Sequence, residues 1–294
     1  MTRLRADLCL LLTAFLWGMA FIAQKTGMDG LGPFGFTGVR FLLSALVVLP
    51  LALREGKRQA IPLRSAQKLM FAALGVVFFL AVVSQQAGML TTTVSNAGFL
   101  TGLYVVFVPF FAWLMFRRPP AREIWPACAL SFAGVWLLSG GAPARFAPGD
   151  WMVLGSAVLY GLQIPLVGFL AQGTGRLFTL ALVQYAACAA FGLLAAFLYE
   201  GGIGVAAIQD NMIQILYAGL ISGGIAYTLQ IVAQQHTPPS HAAIIMLLEA
   251  PFAGLAGALF IGDRLGPMGL AGCALILAAA LLAEAGDILF RNKK

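Results

Sequence analysis

The 294-residue chain is 61% hydrophobic and only 10% charged, with a mean hydropathy of +0.91. A water-soluble domain carries about 25% charged residues, so the composition excludes a soluble fold and reads as an integral membrane protein. The net charge of +7 reports membrane orientation rather than a nucleic-acid surface, because the basic residues are unevenly distributed along the chain.

Ten windows are apolar enough to cross a hydrocarbon core about 30 Å thick as helices. They lie at 6–26, 36–53, 68–90, 95–116, 122–140, 150–171, 178–199, 212–234, 241–261 and 267–285. The expected fold is all-α, a polytopic membrane protein of ten transmembrane helices joined by connections too short for a soluble domain. The first window follows "MTRLR", and its long apolar stretch favours a retained helix over a cleaved signal peptide. With the N-terminus in the cytoplasm, 14 of the 18 Lys and Arg residues fall on the inner side. Lys25, Arg145 and Arg264 fall outside, and Arg40 falls at the outer end of helix two. This asymmetry predicts a multi-pass protein of the cell inner (cytoplasmic) membrane with both termini cytoplasmic.

Helical spacing puts Thr13, Trp17, Ala20 and Gln24 on one face of helix one. Arg40 reads as a snorkelling anchor for helix two. Helix three contributes Gln85, and helix four Thr101 and Tyr104 ahead of Pro109. Helix six presents Ser156, Tyr160, Gln163 and Val167, with Pro165 among them; helix eight aligns Gly223, Tyr227, Gln230 and Gln234; helix nine holds Glu249 and Pro251. Prolines at 109, 126, 165 and 251 each remove a backbone donor and free a carbonyl, so kinks near the binding level are expected. The histidines of "HTPPSH" (236–241) read as a cytoplasmic turn, too poor in ligands for a metal. Cys9, Cys128, Cys188 and Cys273 lack any CxxC spacing and read as small packing residues. No metal or cofactor is expected.

Polar groups in hydrocarbon must face protein or water. Each could simply tie two helices together through a hydrogen bond of about 0.6 to 2 kcal/mol. As a set they point to a substrate cavity lined by Trp17, Gln85, Thr101, Tyr104, Tyr160, Gln163, Tyr227, Gln230 and Glu249. Glu249 lies about eight residues, or roughly 12 Å, into helix nine. A carboxyl group at that depth has to be protonated, paired with a cation or facing a wet cavity. With no Lys or Arg read at matching depth, Tyr104 and Gln230 are its candidate partners, and its candidate roles are binding a substrate amino group or coupling transport to protons. The apparent lack of deep basic residues disfavours phosphorylated solutes.

The chain also matches itself at an offset of about 144 residues, drifting by one. Asp7 pairs with Asp150, Trp17 with Tyr160, Gly18 with Gly161, Arg40 with Gln184, Gln85 with Gln230, Ser95 with Ser240 and Tyr104 with Glu249. Five spans in each half, an odd number, predict two inverted-topology five-helix repeats, 1–145 and 146–294, an arrangement characteristic of secondary transporters.

The segments "FLWGMAFIAQK", "VRFLLSALVVLPLAL", "SNAGFLTGLYVVFVPFFAWL" and "GIAYTLQIVAQQHTPPSHAAIIMLLEAPFAGLAGALFIGDRLGPMGLAGC" resemble the drug/metabolite transporter (DMT) superfamily in its EamA-type branch, over nearly the whole chain. The resemblance implies a ten-helix carrier of small metabolites, amino acids and their derivatives among them. It also implies a central cavity lined by helices one, three, four, six, eight and nine, with helices five and ten peripheral. Where the family often has Gly-Glu after helices four and nine, this chain has "RRPP" (117–120) and Gly262-Asp263; its helix-nine proline follows Glu249 by two.

An intramembrane enzyme or a passive scaffold subunit is the rival reading. No HExxH, GxSxG or deep acid pair supports the first, and no GxxxxGK[ST] loop supports ATP hydrolysis. Duplicated polar faces argue against the second. The expected function is therefore a secondary transporter, an exporter by alternating access, whose partners are a small-molecule substrate and the lipid bilayer but no nucleic acid. Proton coupling and a homodimer stay open.

Overall fold

Apolar runs bounded by Pro, Gly and charged turns set the helix ends in the computed structural model, which describes residues 1–59, 62–92, 94–138, 147–260 and 266–291. The Ser95 side chain, Gly262, Asp263, Arg145, Arg264, Lys293 and Lys294 lie outside the described set. The described residues form helices and no strands. Among the described residues, eight stretches are long and apolar enough to cross a membrane. Five are continuous α-helices: α1 (Arg3–Thr26), α2 (Gly32–Arg58), α3 (Ser65–Gly88), α7 (Pro148–Thr174) and α8 (Leu177–Tyr199). Two shorter apolar helices are α6 (Ile124–Leu138) and the first part of α14 (Pro267–Arg291).

The other three stretches are interrupted, which differs from the continuous helices expected at 95–116, 212–234 and 241–261. The first divides into α4 (Val94–Gly102) and α5 (Tyr104–Phe116), the last into α12 (Pro239–Met246) and α13 (Glu249–Phe260). Tyr104 and Glu249 are thus the first residues of the second half-helices. The prolines contribute: Pro109 frees the Val105 carbonyl and Pro251 that of Leu247. The Cys128 thiol donates to Val105 O at 3.4 Å, and Ala250 N donates to Leu247 O at 3.0 Å, so neither is orphaned. The third stretch runs α10 (Met212–Leu216), a π-helical segment (Tyr217–Tyr227) and α11 (Thr228–Ala233), preceded by the short α9 (Val205–Asp210). π-Helical insertions of this kind recur at functional sites.

Arg117 closes α5 with φ 52°, a left-handed conformation that favours glycine. The two prolines that follow prevent the helix from resuming. His236 occupies the expected turn, but His241 is buried inside α12, because that helix begins at Pro239, two residues earlier than expected.

Packing relations come in pairs. Helix α1 packs on α13 as α7 packs on α5, and α1 on the π segment as α7 on α3; α2 pairs with α8, and α6 with α14. Single contacts repeat in the same way. Thr237 Oγ1 donates to Asp7 at 2.8 Å, and the Thr92 hydroxyl donates to Asp150.

The α2–α8 pair is antiparallel, and each helix caps the other. Glu55, in the last turn of α2, accepts from the amides of Phe178 and Thr179 at 3.2 and 2.8 Å. Glu200, just past α8, accepts from those of Phe34 and Gly35 at 3.0 and 2.8 Å. A carboxylate on free N-terminal amides is favoured by both the hydrogen bonds and the helix dipole. Glu55→Ala and Glu200→Ala should each cost about 1 kcal/mol, read as a lowered thermal unfolding midpoint in detergent, with transport retained.

Candidate functional site

The broken helices and the π segment converge on a narrow cavity of about 30 Å³ in the interior of the bundle, room for a water molecule or two as it stands. The structure brings all nine candidate residues to its wall: Trp17 from α1, Gln85 from α3, Thr101 from α4, Tyr104 from α5, Tyr160 and Gln163 from α7, Tyr227 from the π segment, Gln230 from α11 and Glu249 from α13. Among the described residues, none from α6 or α14 lines it.

Aromatic rings build one side. The rings of Trp17 and Tyr227 lie 4.4 Å apart between centroids, and Phe78 meets Tyr227 edge-on at 4.9 Å. The Trp17 indole Nε1 donates to Ser222 O at 3.3 Å, which holds the ring against the π segment. A polar chain crosses the cavity: Tyr160 and Tyr227 hydroxyls are 3.4 Å apart, Tyr160 donates to Gln85 Oε1 at 3.5 Å, and Gln85 Nε2 donates to Thr101 Oγ1 at 2.9 Å. Every link of this chain joins residues expected from sequence.

Some of these amides are engaged outside the cavity. Gln163 Nε2 donates to Gln184 Oε1 at 2.9 Å, and Gln230 Nε2 to Gln234 Oε1 at 3.3 Å. Among the described residues, the Gln230 carbonyl and the Tyr104 hydroxyl are buried without a hydrogen-bond partner, and Glu249 is 6% exposed. Thr13 and Ser156, on the same faces, serve packing instead, Thr13 donating to Ala226 O at 3.2 Å and Ser156 to Val153 O at 2.6 Å. The Gln230 carbonyl therefore offers the cavity hydrogen-bonding capacity that the described residues leave unused.

The sequence reading misplaced one charge. Arg40 does not snorkel; it is 3% exposed and lines the same cavity. Helix α2 starts at Gly32 rather than near 36, which puts Arg40 about 12 Å along the helix at 1.5 Å per residue. A basic residue at depth is thus present, and the argument against anionic solutes loses its premise. Helix two also joins the lining, which the expected arrangement did not include. Phe21, Gln24, Ile164 and Ser222 complete the wall; Gln24 was on the polar face read from helix one, whereas nothing in the spacing marked the others.

Multiple apolar helices around a buried polar and aromatic cavity define a multi-pass membrane transporter that handles a small molecule. The chain belongs to the EamA-like transporter family, whose model matches residues 4–140 and again 147–284. An uncharacterized transporter of Archaeoglobus fulgidus is 30% identical over 287 residues, covering 95% of this chain and 86% of that protein. A transporter of Bacillus subtilis, YwfM, is 27% identical over 95% of this chain and 93% of its own length. A probable terminal-alkyne amino-acid exporter of Streptantibioticus cattleyicolor is 25% identical over the same shares. In fold, the chain is similar over its full length to a solved crystal structure with TM-score 0.76 and 18% identity, which covers all of both chains.

Proposed function

We propose that the protein is a secondary transporter that exports small metabolites, amino acids or related amphipathic solutes, across the cell inner membrane by alternating access, and that it is not an enzyme. The observation that carries this reading is the convergence of nine polar and aromatic residues, drawn from both halves, on one cavity. In this reading α6 and α14 are the fifth and tenth spans, residues 1–145 and 146–294 are two repeats of opposite orientation, and both termini are cytoplasmic. The paired contacts of Asp7 with Thr237 and Asp150 with Thr92, and the reciprocal Glu55 and Glu200 caps, support it. So does the double match of the family model. Half-helices that begin at Tyr104 and Glu249 resemble the discontinuous helices from which many carriers build a midplane site. The amino-acid assignment draws on the walls of the cavity, whose aromatic rings suit an apolar side chain, and on the name of the 25% identical relative, a probable terminal-alkyne amino-acid exporter.

A metabolite-wide export profile of cells with and without the protein, followed by flux of the identified solute in ATP-free proteoliposomes, tests the reading. Trp17→Ala and Tyr160→Ala should each lower that flux by about tenfold, the loss of roughly 1.4 kcal/mol of recognition, with unchanged expression and a folded elution profile. Normal flux in both variants would remove the cavity from the transport path. A C-terminal reporter active in the periplasm would overturn the orientation.

A further inference from the structure

Among the described residues Arg40 is the one guanidinium on the cavity wall, and none of them supplies it a counter-charge. Among the described residues no carboxylate oxygen lies within 4.0 Å of it and no oxygen accepts a hydrogen bond from it. Its neighbours are the rings of Phe36 and Phe41, whose centroids are 5.4 and 5.0 Å from the guanidinium carbon. These rings leave its donors unspent, since a ring face accepts no fork of N–H groups. The buried Nε is without a partner.

The position 144 residues on shows what packing alone requires there. Gln184 is neutral, and its amide is closed by Gln163 at 2.9 Å and the Leu180 carbonyl at 3.4 Å. The same place in the other half is thus filled by a self-satisfied amide, whereas the first half holds a buried cation with open donors. An unpaired charge in a low-dielectric site is retained where a ligand completes it. The guanidinium fork matches the two oxygens of a carboxylate.

We infer that Arg40 is the carboxylate-binding residue of the cavity, so that the transported solute is a small carboxylic acid whose apolar remainder lies against Trp17 and Tyr227. This deepens the reading of the cavity as the substrate path and rests on it. Neutral amides and decarboxylated amines of the same size leave the fork unfilled and are rejected. A site built around a fixed polar group discriminates strongly against the analogue that lacks its mate.

The test uses purified full-length protein in proteoliposomes, with radiolabelled L-amino acids as probes and unlabelled amino acids, their amides and their decarboxylated amines as competitors. Wild-type protein should be inhibited by an acid at a concentration at least about tenfold lower than by its amide. In Arg40→Gln the apparent affinity for the acid should fall at least about tenfold while that for the amide is unchanged, so that the preference disappears; Arg40→Lys should restore part of it. If Arg40→Gln does not fold, Arg40→Lys decides: an acid-to-amide preference smaller than the wild type's supports the proposal, and an unchanged one overturns it. Equal inhibition by acid and amide in the wild type overturns the proposal, as does a variant that weakens both alike, which is the mark of a packing role. Stabilisation by chloride that needs Arg40 while acids and amides compete equally assigns the residue to an inorganic anion and overturns it too. An exported solute without a carboxylate overturns the role of Arg40 and leaves the transporter reading standing, whereas failure to move any solute removes both.

Discussion

Glu249→Gln should lose at least about nine-tenths of transport, a barrier increase of roughly 1.4 kcal/mol or more, and whatever rate remains should not vary between pH 5 and 8. Glu249 is, among the described residues, the one carboxyl group on the cavity wall and the first residue of α13, where the free amides of a helix N-terminus favour negative charge. The substitution keeps the size and a hydrogen-bonding head but removes titration. A proton-coupled step, or a bound ammonium group, needs the carboxylate and is lost with it. A merely structural Glu249, tying α13 to a neighbour, would tolerate the amide. Initial rates in proteoliposomes at matched protein density, measured across that pH range, separate the two. Wild-type rates and a wild-type pH profile in the variant would leave Glu249 a packing role alone.

Gly18→Leu and Gly161→Leu should each destabilise the protein by about 3 kcal/mol and abolish transport, because overpacking at a close helix crossing forces backbone shifts. A Cβ on Gly18 would lie 2.6 Å from Phe252 Cβ, 2.7 Å from Glu249 O and 2.8 Å from Ala253 N, so α1 and α13 cross there with no room for a side chain. A Cβ on Gly161 would collide with Phe107 Cβ in the same way, at the crossing of α7 and α5. Trp17 and Tyr160 adjoin these two glycines, so a displaced helix also misplaces an aromatic wall of the cavity. Thermal unfolding in detergent reads the first effect and proteoliposome flux the second. Gly18→Ala is the milder arm, expected at about 1 to 2 kcal/mol. Wild-type stability in both leucine variants would rule out the close crossings.

Membrane residence and the helical class were legible in the chain because hydrocarbon imposes a coarse rule: each crossing needs about 20 apolar residues, and every backbone group must be satisfied internally. The cavity wall was legible for a related reason. Gln85, Gln163, Gln230 and Glu249 are polar where polarity is costly, so their faces had to meet one another or water. The paired positions Trp17 and Tyr160 reinforced this, since the same face was written twice.

Composition and periodicity could not foresee what depends on neighbours at close range. The breaks at Gly102–Tyr104 and Met246–Glu249 and the π segment, whose Gly219 carbonyl accepts from the Ser44 hydroxyl at 2.7 Å, are features of this kind. Arg40 depended on a helix start four residues earlier than its apolar window suggested, a shift that moved a charge from the outer rim to the cavity. The sequence by itself determined that the chain is helical, lies in a membrane and carries polar faces written in duplicate, because burial in lipid constrains each span independently. Which of those polar groups satisfy one another, and which are left open toward a solute, only the tertiary structure decided, because a hydrogen bond depends on distances of a few ångströms between residues far apart in the chain.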